Sequence, residues 1–174
     1  FRHRLYKEYK SNRKSMPEEL SEQVEPIFDF LKFMGIQIIQ QPDVEADDVI
    51  ASLVNDHSSK TKILISSGDK DLAQLVNKNV QLINSLDGKQ LNEDDVKKKF
   101  GVAPNQIKDY LTLVGDASDN IPGVSKIGSK TAVTLLEKYH SLESIIKNKD
   151  DLKNNLRETI ENSLSTIELA QNLI

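Results

Sequence analysis

Apolar residues along this chain change period, and the changes divide it into elements. Between Pro17 and Met34, the residues Leu20, Val24, Ile27, Leu31 and Met34 recur at helical spacing, and Gly35 follows. The spacing predicts an amphipathic scaffold helix. Residues 36–40, IQIIQ, predict a short buried strand, and Pro42 with Asp43 ends it and caps the next helix. That helix opens at VEADDV, residues 44–49, with Val49, Ile50, Leu53 and Val54 as its buried stripe. KILISS at 62–67 predicts a second strand, which Gly68 turns into DKDLAQL, and VQLIN at 80–84 predicts a third. LDGKQ at 86–90 is a hairpin turn in which Asp87 and Gly88 serve the bend. From there the pattern is helical, over 92–100, 104–114, 129–138, 141–147 and 155–173. Ile107, Tyr110, Leu111 and Val114, then Ala132, Leu135, Leu136, Leu142 and Ile145, are expected core positions. The order predicts an α/β fold: a parallel sheet flanked by helices over residues 1–91, then a helical region over 92–174.

With 174 residues, the chain can bury the core of one domain, or of a compact domain with a helical appendage. It has no cysteine, which removes disulfides, thiolate metal sites and cysteine nucleophiles from consideration. No apolar run nears the ~18 residues that span a bilayer and no signal-peptide pattern appears, so a cytoplasmic protein without a membrane partner is expected. A formal net charge of −4 argues against a nucleic-acid binder until its distribution is considered. Arg2, Arg4, Lys7, Lys10, Arg13 and Lys14 crowd the first fourteen positions against Glu8 alone, while Asp43, Glu45, Asp47 and Asp48 form an acidic cluster. His3, His57 and His140 lack ligand spacing and are expected to be surface or structural residues. The chain begins at Phe1 without an initiator methionine, and a fragment is expected.

The chemistry concentrates at residues 115–132, GDASDNIPGVSKIGSKTA. Asp116 and Asp119 are spaced for one helical face or a tight turn, where neighbouring carboxylates repel unless a cation lies between them. Gly123 and Gly128 would let the backbone approach a ligand. Lys126, Ser129, Lys130 and Thr131 add donors at a helix start, a natural phosphate site that grips backbone without reading bases. Taken singly, such features have plainer explanations, since loop acids cap helices and glycines make turns. The same holds for Glu45, Asp47 and Asp48, which the helix dipole favours at a first turn, and for Asp69 and Asp71 after a strand. What carries weight is their joint occurrence. Such acids together would destabilise a fold unless cations neutralised them, and all-oxygen ligation selects Mg²⁺ or Mn²⁺.

The string GDASDNIPGVSKIGSKTA, with EADD at 45–48 and DKDL at 69–72, resembles the 5′ nuclease family. That family includes the 5′ to 3′ exonuclease domain of bacterial DNA polymerase I and the flap endonucleases. The resemblance runs in order over nearly the whole chain, departing at Lys126, where the family usually has a glycine. It implies a PIN-like nuclease core over 1–91, a helix-hairpin-helix DNA-binding region within 92–174, and N-terminal strands with further aspartates that are missing before Phe1. It also implies that Glu45, Asp47, Asp48, Asp69, Asp71, Asp116 and Asp119 hold two ions, Mg²⁺ or Mn²⁺. The segment YKEYKSNRKSMPEEL, 6–20, resembles the way into the family's helical arch. There Lys10 and Arg13 would reach the scissile phosphate and Tyr9 would stack on a terminal base, while Gly123, Lys126, Gly128, Ser129, Lys130 and Thr131 would hold duplex. The implied function is a structure-specific 5′ to 3′ exonuclease or flap endonuclease. It would hydrolyse DNA phosphodiesters by a two-metal mechanism in replication and repair, as part of DNA polymerase I, on DNA with a 5′ single-stranded end or flap at a duplex junction, and as a monomer. The missing aspartates predict that the isolated chain binds DNA without cutting it. Two alternatives remain at this point: a non-catalytic duplex-binding module and a Mg²⁺-dependent phosphatase.

Overall fold

The computed structural model describes residues 1–174. Its elements in order are α1 (Arg2–Leu5), α2 (Glu18–Ser21), α3 (Val24–Phe33), α4 (Ala46–His57), β1 (Ile63–Ser66), β2 (Val80–Ile83) and β3 (Gln90–Leu91). They continue with α5 (Glu93–Phe100), α6 (Ile107–Val114), α7 (Ser129–Tyr139), α8 (Leu142–Lys147), α9 (Asn154–Glu161) and α10 (Leu164–Leu173). A 3-10 turn at Asp71–Leu75 lies between β1 and β2.

The sheet runs β1-β2-β3 and is mixed, where a parallel sheet was expected. Ile63 lies beside Val80 in a parallel pair, while Leu82 faces Leu91 in an antiparallel one. The link from Asn84 to Lys89, with Gly88 at φ 68°, is too short for a crossover, so β3 must fold back on β2.

The core lies under this sheet and among the later helices. Val80, Val96, Ile107, Leu113, Leu136, Leu142, Ile145 and Ile160 are fully buried and belong to one apolar cluster. A smaller cluster of Tyr9, Ile121, Ala170 and Leu173 joins the N-terminal segment to the last helix.

Three expectations fail in instructive ways. The helix expected over 17–34 is broken into α2 and α3 at Glu22–Gln23, and neither piece buries a residue. IQIIQ forms no strand: Ile36 and Ile39 are exposed, and no neighbouring strand takes up its backbone hydrogen bonds. The helix expected over 155–173 is interrupted at Asn162–Ser163, polar residues that compete for backbone hydrogen bonds, and continues as α10. No helix is long and apolar enough to cross a membrane.

Candidate metal centre

The acids converge where three chain segments meet. β1 ends at Ser66, and its continuation carries Asp69 and Asp71 into the 3-10 turn, where the Asp69 carboxylate accepts the Asp71 N–H at 3.0 Å. Asp116 and Asp119 lie on the turn after α6, closed by reciprocal backbone hydrogen bonds between Asp116 and Ile121 at 2.9 and 2.8 Å. The EADD segment starts α4, with Glu45 as its N-cap.

Asp71, Asp116 and Asp119 each offer a carboxylate oxygen, and these oxygens lie within 4.8 Å of one another. Asp116 and Asp119 are buried, and Asp71 Oδ1 is buried with no hydrogen-bond partner. An anionic oxygen without a donor, beside two further carboxylates, fits a hard cation. Burial, reinforced by the charges of Asp116 and Asp69, pushes the Asp71 carboxyl up to about 7. Asp47 is raised too, by burial first and then by Asp69.

Cations of the chain itself pair with Asp116, Asp119 and Glu45. Lys70 Nζ donates to Asp116 Oδ1 at 2.7 Å, and Ser118 donates to the same oxygen from Oγ at 2.6 Å and from its backbone at 2.9 Å. Lys10 Nζ donates to Glu45 Oε2 at 2.6 Å and lies 3.6 Å from Asp119, which is also paired with Arg13. Burial alone would raise the Glu45 carboxyl, but the hydrogen bonds from Lys10 and Tyr9 hold it below its ordinary value. The Lys10 ammonium is pushed up to about 12 by Glu45, Tyr9 and Asp119, against the opposing effect of burial.

Several expected site residues are placed differently. Tyr9 is 2 % exposed, and its hydroxyl donates toward Glu45 at 3.1 Å and Asp119 at 3.3 Å. A ring buried to that degree presents no face to a base, so the expected stacking role is corrected to one of holding two acids. Asp48 turns to Arg2, accepting from Nη1 at 2.7 Å and Nη2 at 2.8 Å, and these bonds hold its carboxyl low. Asp69 lines an open groove with Arg13, Lys70 and Ser118, whereas Asp71 lines an inner cavity with Tyr9, Glu45, Asp47 and Asp119.

In the turn before α7, Ile121, Val124 and Ile127 are buried while Lys126, Gly128, Ser129 and Lys130 are exposed and Thr131 is half-buried. Lys126 adopts φ 62°, the backbone region that glycine enters most easily. Gly123 serves packing and not ligand access, because a Cβ there would collide with the Val114 carbonyl. Gly128 meets nothing at that position and leaves the start of α7 open. Sequence reading missed Arg2, Lys70 and Ser118 as partners of the acids. Lys70 between two aspartates and Ser118 two residues after Asp116 were available signals, whereas Arg2 had none beyond its place in a basic segment.

The chain is similar to known proteins over its whole length. Residues 1–101 match the family model described as 5′-3′ exonuclease, N-terminal resolvase-like domain, and residues 102–174 match 5′-3′ exonuclease, C-terminal SAM fold. The chain is 44 % identical over 154 residues to a 5′-3′ exonuclease of Buchnera aphidicola subsp. Acyrthosiphon pisum, a match covering 88 % of this chain and 54 % of that protein. It is 45 % identical over 163 residues to DNA polymerase I of Caldicellulosiruptor bescii, covering 90 % of this chain and 19 % of the polymerase. It therefore spans about half the length of the first relative and a smaller part of the second. Its fold is shared with the bacteriophage T5 flap endonuclease crystallised as a pseudo-enzyme-product complex with DNA and metal ions. The TM-score there is 0.80 at 23 % identity, over 99 % of this chain and 68 % of that one.

Proposed function

Because the chain belongs to the 5′-3′ exonuclease family, we propose that it carries the acidic site of a structure-specific 5′ to 3′ exonuclease or flap endonuclease. Its substrate on this reading is DNA with a 5′ single-stranded end or flap at a duplex junction, hydrolysed at a phosphodiester in replication and repair. The observation that carries the reading is the convergence of Asp71, Asp116 and Asp119 around an unpartnered buried carboxylate oxygen. These three acids would hold one divalent ion, Mg²⁺ or Mn²⁺, and Glu45, Asp47 and Asp69 would supply the further carboxylates of a two-ion site. When bound, the ions supply charge neutralisation at the phosphate and activation of water.

The remaining roles belong to the chain's own side chains. Tyr9 orients Glu45 and Asp119 from beneath. Lys10 and Arg13, tethered by those acids at the rim, stabilise negative charge developing on the phosphate. α6, the turn and α7 act as the helix-hairpin-helix, with Lys126, Gly128, Ser129, Lys130 and Thr131 gripping the duplex backbone at a helix N-terminus and Gly123 shaping the turn. We assign residues 1–91 to the nuclease core and 92–174 to the DNA-binding region of a monomeric, cytoplasmic protein. The relatives include proteins named 5′-3′ exonuclease and DNA polymerase I, and the proposed activity is common to both readings.

The test is cleavage of a 5′-flap duplex in Mg²⁺ by the full-length protein carrying Asp71→Asn or Asp119→Asn. Both should lose cleavage while keeping duplex binding. Normal cutting by either variant would overturn the assignment.

A further inference from the structure

Arg2 is a buried guanidinium, 9 % exposed, and each of its three nitrogens has a partner. Nη1 and Nη2 meet the two oxygens of Asp48 at 2.7 and 2.8 Å, and Nε donates to the Leu173 carbonyl at 2.7 Å near the end of α10. Asp48 Oδ2 also accepts the backbone N–H of Glu45 at 3.3 Å, which fixes the N-cap of α4. From that N-cap the Glu45 side chain reaches Tyr9 and Lys10. One cavity joins Arg2, Asp48 and Leu173 to Glu45, Asp71 and Asp119.

We propose that Arg2 is a positioning residue for the acidic site and that Asp48 is the anchor it holds, not an ion ligand. The inference rests on the metal-centre reading above and refines which acids serve it. Both Asp48 oxygens are engaged in charge-assisted hydrogen bonds, and turning one toward an ion would leave a buried guanidinium short of its partner, an unfavourable exchange. Held in place, the pair sets the angle at which the first turn of α4 presents Glu45 and Asp47. A carboxylate that orients ligands from behind commonly matters for ion affinity almost as much as a ligand does. The third contact ties α10 to the same point, so the C-terminal helix braces the acidic site through Arg2.

The experiment is a Mn²⁺ titration of the full-length protein without DNA, followed by the electron paramagnetic resonance signal of free Mn²⁺, at a temperature well below each variant's melting point. Arg2→Ala should weaken Mn²⁺ binding by about tenfold, and Arg2→Lys, which keeps a charge beside Asp48, should recover part of the loss. Asp48→Asn, which keeps one acceptor for Arg2 and loses the other, should weaken binding no more than Arg2→Ala does, by about tenfold or less. A purely structural Arg2 would lower the melting point and leave the Mn²⁺ affinity of the folded protein unchanged. Retained or tighter Mn²⁺ binding in Arg2→Ala, or in Arg2→Lys if the alanine variant does not fold, would overturn the proposal. So would a loss in Asp48→Asn about tenfold or more beyond that of Arg2→Ala, which would make Asp48 a ligand. If the unaltered protein bound no Mn²⁺, the metal centre itself would fall, a result distinct from failure of Arg2 to influence it.

Discussion

Two helices with the same kind of apolar stripe meet opposite fates in this molecule. α3 repeats Val24, Ile27 and Leu31 at helical spacing, yet Val24 and Leu31 are only half-buried, Ile27 is exposed and Phe33 is left 92 % exposed. α7 repeats Ala132, Leu135, Leu136 and Tyr139, and all four are buried. Periodicity specifies which face of a helix is apolar, whereas burial needs a complementary surface supplied from elsewhere. The contrast extends to whole regions: among residues 1–62 the buried ones are Arg2, Tyr9 and Val54, while the main core is drawn almost wholly from residues after 62. The first region is joined to the second largely through charged and polar contacts at the acidic site, including Arg2 to Leu173, Tyr9 and Arg13 to Asp119, and Asn12 to Ala117. The candidate chemical site is thus also the seam between an apolar-cored body and a thinly buried flank.

The comparison can be broken most directly by paired truncations. Leu136→Ala should destabilise the protein by about 2–5 kcal/mol in urea unfolding. Phe33→Ala should change stability by less than about 0.5 kcal/mol. Equal effects would show that α3 packs as firmly as α7.

At the seam, the raised Asp71 carboxyl makes a signed prediction. Its folded value of about 7 lies above the ordinary 3.8. The stability contributed by its protonated form is therefore complete below the ordinary value and is lost as pH rises through the folded one. In the absence of divalent ions, Asp71→Asn should match the unaltered protein near pH 4 and exceed it by about 1–3 kcal/mol at pH 8. Added Mg²⁺ should stabilise the unaltered protein at pH 8 and not the variant. A stability difference independent of pH would remove the electrostatic account.

On the well-packed side, Lys130→Ala should lower the slope of log K against log salt for duplex binding by about 0.9, the share of one phosphate. An unchanged slope would move the backbone grip away from the start of α7. A small effect is also expected for Arg13→Ala. The Arg13 side chain is half exposed, so removal of its ion pair should cost about 0.2–1 kcal/mol. Amide exchange around residues 10–13 should accelerate while that of α7 does not change.

Much of the body was legible in the chain because local signals and tertiary demand agree there. β2, α5, α6, α7 and α8 lie where periodicity, turns and caps place them, with Asn92 and Ser141 accepting backbone N–H groups at the starts of α5 and α8. The hairpin turn at Asp87–Gly88 folds β3 back antiparallel on β2, which makes the expected parallel sheet a mixed one. Resemblance of three acidic strings pointed to the family, whose models cover the chain end to end. The misses share a cause. IQIIQ and the 17–34 stripe carry the local pattern of buried elements, but a pattern states a preference, and the surface beside them covers Val24, Phe28, Leu31 and Ile38 only in part.

By itself the amino-acid order determined the α/β class, the position of nearly every element after residue 62, and the three segments from which the acids come. Those properties depend on residues close together in sequence, whose spacing sets the backbone hydrogen bonding and the apolar face. Only the tertiary structure decided which acids meet. It brought Asp71 to Asp116 and Asp119, turned Asp48 to Arg2, assigned Lys70 to Asp116, and buried Tyr9 beneath the site. Partner choice among like-charged side chains depends on where separate segments cross and on which charges lose their water. That is settled by long-range packing, not by the identity of neighbours in the chain.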